Sequence, residues 1–156
     1  MKRSLETKEF ILQTALNLTS KFGLESLSIG QLAKSVGMSK SGLFGHFKSK
    51  EKLQIMVLNY AAESFTEQVI KPAIKEPRGL PRLEAMMLQW KKWSHHYLAG
   101  GCPILSSIVE YDDRPGPVRK HVKQLQQNMI HSFEKAIIIS QEESHLSRDF
   151  SAKQIA

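Results

Sequence analysis

Basic and hydroxyl-bearing side chains are concentrated between Ser28 and Lys50, and they are of the types that bind nucleic acid. Lysine can donate to guanine O6 and N7, and lysine, serine and histidine can all donate to phosphate. Lys40 is the strongest candidate for a base contact, whereas Ser28 and Lys50 stand at helix N-termini, whose N–H groups favour phosphate. The predicted DNA-binding residues are Ser28, Ser39, Lys40, Ser41, Gly42, Phe44, Gly45, His46, Lys48 and Lys50.

Two short helices must position these side chains. Residues 28–31 have the Ser-x-x-Gln pattern of a capping box, and apolar residues then recur at helical spacing as far as Gly37, which favours a helix end. Ser39 is a good N-cap for a second helix, with Leu43 and Phe47 on its buried side. The spacing predicts a helix-turn-helix, whose second helix enters the DNA major groove.

Two glycines lie within one turn of this second helix. Gly42 and Gly45 each cost about 1 kcal/mol of helix stability relative to alanine. Their presence indicates a close backbone approach, and the sequence leaves two partners open. The approaching surface is either the DNA or the preceding helix.

Positive charge is concentrated in the same part of the chain. The chain carries 22 Lys and Arg against 15 Asp and Glu, a formal net charge of +7. Residues 1–50 hold eight of the basic residues and three of the acidic ones. This distribution is the electrostatic footprint of a DNA-binding segment.

The composition favours a soluble protein of a reducing cytoplasm. The 156 residues are 41% hydrophobic, enough for a packed core, but the longest apolar run, residues 136–139, is far below the roughly 20 residues of a membrane helix. Cys102 is the single cysteine, which excludes an internal disulfide and is typical of a reducing compartment. A lone thiol is a candidate oxidant sensor, but more commonly an inert buried side chain.

Helical patterns extend along the whole chain, so the predicted fold class is all-α. The first helix covers about residues 5–22, with Phe22 as the last member of its apolar stripe. A helix that starts near Ser49 runs to about residue 70, where Pro72 and Pro77 are expected to break it. Further helices are expected over about residues 81–99, 104–111 and 118–140, with a capping box at residues 151–154. Residues 71–80 form a Pro- and charge-rich connection, which is the best candidate for a domain boundary.

Aromatic and apolar side chains cluster in the second part. Such residues can line an apolar cavity within a helical bundle, with Tyr hydroxyls and indole N–H groups as polar anchors, although for any one of them ordinary core packing is the alternative. The predicted ligand-binding residues are Met86, Trp90, Trp93, Tyr97, Cys102, Ile108 and Tyr111. No metal site is expected, because adjacent side chains such as His95 and His96 point about 100° apart on a helix.

The chain resembles the tetracycline-repressor (TetR) family of bacterial transcription regulators, most clearly over residues 5–58. The family signature appears here as GMSKSGLFGHF at residues 37–47 and SKEKL at residues 49–53. The stretches Gly100–Pro103 and Glu110–Val118 also resemble one subset of the family's ligand-binding domains. Phe44 stands where the family usually has Tyr, so it lacks the hydroxyl that commonly meets a phosphate.

The resemblance implies a three-helix helix-turn-helix domain at residues 1–50 and a helical ligand-binding and dimerisation domain at residues 51–156. It also implies a homodimer on a palindromic operator in duplex DNA, with repression relieved by a small effector. We expect that effector to be largely apolar. For the chain itself we expect no cofactor and no membrane partner. We also expect no enzymatic activity, because phosphate-loop, G-x-S-x-G and H-E-x-x-H motifs are missing. Relatives carry a further helix where this chain stops, so the alternatives are a truncated regulator or a helical protein-interaction module.

Overall fold

The computed structural model describes the backbone of residues 2–156 and the side chains of residues 6–156, and over this range every regular element is helical. The predicted all-α fold class is confirmed. In chain order the helices are α1 (Lys2–Phe22), α2 (Ile29–Val36), α3 (Lys40–Phe47), α4 (Lys50–Phe65), α5 (Lys71–Ala73), α6 (Leu80–Lys92), α7 (Pro103–Glu110), α8 (Pro117–Glu142) and α9 (Ala152–Ile155), with π-helical turns at Thr66–Ile70 and Trp93–Tyr97.

The N-terminal helices α1 to α3 pack around leucine side chains that are completely buried. Leu16, Leu32, Leu43 and Leu53 have no exposed surface, and each such burial stabilises the fold by about 1.5–3 kcal/mol. The expectation that Phe22 completes the buried stripe of α1 is wrong, because 52% of this side chain is exposed. The chain leaves α1 immediately after Phe22.

The helical segment that begins with α4 continues through the π-helical turn and α5 to Ala73, one residue beyond the break predicted at Pro72 and before Pro77. The N–H of Lys71 donates to the carbonyl of Thr66, five residues back, and this closes the π-helical turn. Pro72 then stands inside α5, and the N–H of Ile74 donates to Ile70 at 3.0 Å. A proline ring normally clashes with the carbonyl four residues back, and the wider π-helical turn accommodates it.

An aromatic cluster joins α4, α6 and α8 in the C-terminal part. The Phe65 ring lies 5.6 Å from Trp93 in an edge-to-face arrangement, and Trp90 lies 5.5 Å from Phe133. The Trp93 indole N–H donates to Ser64 Oγ at 3.0 Å, so the buried ring keeps a polar partner. These contacts form the core that packs the second half of the chain on the continuous helix of α4.

The last described residues fold back on α8. Ser151 N–H donates to Gln154 Oε1 at 3.0 Å, as the predicted capping box requires. Gln141 Nε2 donates to the carbonyls of Ser147 and Phe150, which fixes the turn between α8 and α9. No helix within the described part of the chain is long and apolar enough to span a bilayer.

Candidate DNA interface and effector cavity

Serine side chains cap the helices that form the candidate DNA interface. Ser28 Oγ accepts from Gln31 N–H, Ser39 Oγ from Gly42 N–H and Ser49 Oγ from Lys52 N–H, each at 3.1 Å. Each cap contributes about 1 kcal/mol to its helix. Gly37 closes α2 with a φ of +69°, a left-handed conformation that glycine adopts without strain.

One face of α3 is buried and the other is exposed. Leu43 and Phe47 pack against the core, whereas the remaining residues of α3 are exposed. At about 100° per residue, Gly45 lies about 180° from the midpoint between Leu43 and Phe47, so it is the outermost point of the helix. The exposed predicted DNA-binding residues on α3 are Lys40, Ser41, Gly42, Phe44, Gly45 and His46, and Ser39 and Lys48 flank them.

The two glycines of α3 differ in their surroundings. A Cβ at Gly42 would lie 3.0 Å from Ser39 Oγ, the capping oxygen of the same helix. A Cβ at Gly45 would meet no atom within 4 Å. Helix packing therefore does not explain Gly45, and the neighbour that limits Gly42 is the local cap rather than α2.

Lys50 is held by a carboxylate of the same chain. Its Nζ donates to the Glu25 carbonyl oxygen at 2.6 Å and lies 3.1 Å from Glu25 Oε1. Glu25 stands in the loop between α1 and α2 and was not among the residues predicted from the sequence. The Tyr111 hydroxyl and the Lys50 ammonium lower the pKa of the Glu25 carboxyl below its usual value.

A cavity of about 410 Å³ lies between α6, α7, α8 and α9. Its lining contains a single polar side chain, Gln126, and no charged side chain. The remaining lining residues are Leu83, Met87, Trp90, Leu105, Ile108, Met129, Ile130, Phe133, Ile137, Ile155 and Ala156. Such a surface suits a small, uncharged and largely apolar molecule.

Only Trp90 and Ile108 of the seven predicted ligand-binding residues line this cavity. Met86 is buried in the core and Met87 lines the cavity in its place, because adjacent residues of a helix point about 100° apart. Trp93 turns inward to bond Ser64. Cys102 is absent from the cavity lining; it is partly buried, and burial raises the pKa of its thiol.

The two predicted tyrosine anchors point elsewhere. Tyr97, the last residue of the π-helical turn that begins with the buried Trp93, is 63% exposed. The Tyr111 hydroxyl donates to Glu25 Oε2 at 2.7 Å, and burial together with this carboxylate raises the pKa of Tyr111. Among the described residues, no group of three or more His, Cys, Asp or Glu side chains is arranged to hold a metal ion.

Helix α7 is fastened to the N-terminal helices at both of its ends. Before it, Ser20 Oγ donates to the Gly101 carbonyl at 2.7 Å and accepts from Gly100 N–H at 2.9 Å. In its last turn, the Glu110 carboxylate accepts from Leu24 N–H at 2.8 Å. The same helix contributes Leu105 and Ile108 to the cavity lining, so the cavity and the α1–α2 loop share one element.

Two family models match the chain. The model described as "Tetracyclin repressor-like, C-terminal domain" matches residues 79–156, and the model described as "Bacterial regulatory proteins, tetR family" matches residues 11–55. The first of these covers half of the chain. Together the two models include the helix-turn-helix and all residues that line the cavity.

Similar curated proteins are transcriptional regulators with a helix-turn-helix. The chain is 42% identical to AcrR of Shigella flexneri over 48 residues, a segment that covers 31% of this chain and 22% of AcrR. It is 35% identical over 71 residues to QacR of Staphylococcus aureus, which is 46% of this chain and 38% of QacR. The matched segments thus span well under half of the length of these relatives.

Solved structures share the fold over nearly the whole chain. A TetR transcriptional regulator from Chloroflexus aurantiacus superposes with a TM-score of 0.85 at 23% identity, covering 99% of this chain and 79% of that one. AibR, solved in complex with isovaleryl coenzyme A and operator DNA, has a TM-score of 0.75 at 23% identity, covering 95% and 78%. The arrangement of all described helices is therefore that of known regulators.

Proposed function

Since the chain belongs to the tetracycline-repressor family of bacterial regulators, we propose that it binds duplex DNA and regulates transcription, most simply as a repressor. The observation that carries the proposal is the exposed face of α3, which presents Ser41, Gly42 and Gly45 outward from a helix buried on its other side, with the exposed Lys40 at its N-terminal end. A helix of this kind fits the major groove.

Each residue of this face has a role in the proposal. Lys40 reads guanine through O6 and N7, whereas Ser41, His46 and Lys48 contact phosphates and fix the register. Gly45 lets the helix backbone approach the bases. Phe44, 49% exposed, offers an apolar surface to the DNA but no hydroxyl.

Two copies of the chain are part of the proposal. A two-fold dimer would place two α3 helices about 34–36 Å apart, and it would bind a palindromic operator with matching half-sites. The proposal is a binding role in the cytoplasm, where the DNA is, rather than catalysis.

The effector in this proposal is a small, neutral and largely apolar molecule. The lining offers no charged partner to an ionic molecule, and its apolar side chains favour a neutral, apolar one. Gln126 is the single polar side chain available to orient the molecule. Occupation of the cavity would displace α7, which is fastened to the α1–α2 loop, and so release the DNA.

DNA binding is tested by fluorescence anisotropy with the promoter upstream of the chain's own coding region and with a random duplex, each at two salt concentrations. We expect tight, salt-sensitive binding that prefers the promoter. Lys40→Ala should weaken promoter binding about tenfold and random binding much less. Lys123→Ala, which removes an exposed lysine from α8, is the charge-matched control.

Other outcomes have distinct meanings. Equal losses on both duplexes for Lys40→Ala would contradict base reading by this lysine. Weak binding that does not distinguish the duplexes would instead favour a protein-interaction module, the alternative function.

The cavity is tested with two dyes that share one ring system. N-phenyl-1-naphthylamine is neutral, whereas 8-anilinonaphthalene-1-sulfonate carries an additional sulfonate. We expect the neutral dye to bind with a change in the fluorescence of Trp90, and the anionic dye to bind at least tenfold more weakly. Stronger binding of the anionic dye would contradict a neutral effector.

A further inference from the structure

The Glu25 carboxylate contacts both halves of the chain. Oε1 lies 3.1 Å from Lys50 Nζ, in the first turn of α4. Oε2 accepts from the Tyr111 hydroxyl at 2.7 Å and lies 3.4 Å from a guanidinium nitrogen of Arg114. The two oxygens therefore have different partners: a predicted DNA-binding lysine on one side, and the segment that follows α7 on the other.

The Lys50 ammonium is bound to the α1–α2 loop. It donates to both the side chain and the backbone carbonyl of Glu25, so it is folded over the α1–α2 loop. A lysine at a helix N-terminus is otherwise well placed for phosphate, because the N–H groups of the first turn attract the same anion. A phosphate and the Glu25 carboxylate would compete for this ammonium.

The loop that carries Glu25 is held from several directions. Leu24 N–H donates to Glu110, and the Leu24 carbonyl accepts from Gln54 Nε2 at 3.0 Å. The backbone immediately before Glu25 is thus fixed to α4 and α7. The Glu25 and Lys50 side chains nevertheless remain 43% and 44% exposed, so a phosphate can reach the ammonium.

We propose that Glu25 sets the DNA affinity of the chain by competing with phosphate for Lys50, and that Tyr111 and Arg114 determine how firmly the carboxylate holds. The inference rests on the proposed function, because it requires Lys50 to contact DNA. Exposed ion pairs contribute little, so the competition adjusts affinity about 1.5-fold to fivefold. Through Glu25, the segment that follows α7 therefore influences the contact between Lys50 and one phosphate.

Glu25→Gln tests the competition in the full chain. We expect the variant to bind the promoter and a random duplex about 1.5-fold to fivefold more tightly than the wild type, because phosphate contacts carry no sequence information. The gain should disappear when the Lys50→Ala variant is compared with the double variant that carries both Glu25→Gln and Lys50→Ala. Glu51→Gln is the matched control, since it removes the same charge next to Lys50 in the chain but no ion pair of the described residues involves Glu51.

A regulatory arm uses Tyr111→Phe, which removes the hydroxyl that orients the carboxylate. We expect a gain in affinity in the same direction as for Glu25→Gln, and no added gain when the two are combined. Acetylation of Lys50, followed by mass spectrometry without DNA, should rise in Glu25→Gln and confirm release of the ammonium in a folded variant. An unchanged affinity for Tyr111→Phe would overturn the role of Tyr111.

The remaining outcomes separate this inference from the proposed function. Unchanged DNA affinity for Glu25→Gln, with weaker binding for Lys50→Ala, would refute the competition while DNA binding itself stands. An equal gain in the Lys50→Ala background, or an equal gain for Glu51→Gln, would mean a general charge effect and also refute it. No binding of the wild type to either duplex would refute both proposals.

Discussion

Gly45→Ala should make the chain more stable and at the same time weaken its binding to DNA. The added Cβ would meet no atom within 4 Å, and the residue lies within α3 without a left-handed backbone. Replacing glycine by alanine in a helix then stabilises the fold by about 1 kcal/mol. In a chain of this length, that gain raises the melting temperature by about 2–4 °C.

The opposite effect on DNA follows from the position of Gly45. The residue is the outermost point of α3, so a methyl group there would stand between the helix and the floor of the groove. Losing one good base contact costs about 1–3 kcal/mol, and we expect promoter binding to weaken about tenfold. Urea unfolding and anisotropy titration of the same preparation measure the two effects.

Gly42→Ala is the matched control for this experiment. Its Cβ would lie 3.0 Å from the capping Ser39 Oγ, so the helix gain should be reduced by disturbance of a cap worth about 1 kcal/mol. If Gly45→Ala lowers stability, the open surroundings of Gly45 are wrong. If it raises stability and leaves promoter affinity unchanged, close approach of α3 to DNA at this residue is refuted.

Three further predictions concern the regions around α7. Gly100→Ala should destabilise the chain by about 1–3 kcal/mol in urea unfolding, because its Cβ would overlap the Ser20 carbonyl oxygen, and an unchanged midpoint would contradict this contact. The Cys102 thiol should react slowly with a disulfide reagent at pH 8 and rapidly in denaturant, since burial raises its pKa, and fast reaction of the folded chain would disprove the burial. The stability difference between the wild type and Glu25→Gln should be present above about pH 4.5 and close as the pH falls through the lowered pKa of Glu25; a difference that does not vary with pH would show that this carboxyl is unperturbed.

Local signals in the sequence predicted most of the helical boundaries. Ser39 caps α3 through its own side chain, and Gly37 adopts the left-handed conformation at the end of α2. Both features depend on residues within one turn of each other, so the sequence pattern contains the information needed. The helix that begins at Lys50 ends at Ala73, between Pro72 and Pro77, one residue later than a break at Pro72 requires, because a π-helical turn upstream accommodates the ring, and no residue type marks such a turn.

The cavity and the contacts between the two halves could not be predicted in the same way. Ser20 and Gly101 are 81 residues apart in the chain, and Glu110 and Leu24 are 86 apart. Nothing in the spacing of either pair indicates that they meet. The aromatic composition near α7 predicted an apolar cavity, and two of the predicted residues, Trp90 and Ile108, line one, but it also suggested Tyr111, whose hydroxyl turns instead to Glu25.

The contacts at the ends of α7 have a consequence for exchange of segments between relatives. The two family models match separate parts of the chain, which suggests chimaeras that join the DNA-binding domain of one regulator to the ligand-binding domain of another. In this chain the two pieces are in specific contact. Gly100 packs against the end of α1, where a side chain would not fit. The Glu110 carboxylate accepts from two backbone N–H groups of the α1–α2 loop. A chimaera joined at residue 50 would therefore lose these contacts between α7 and the N-terminal helices, whereas exchange of only the outward residues of α3 would leave the contacts intact.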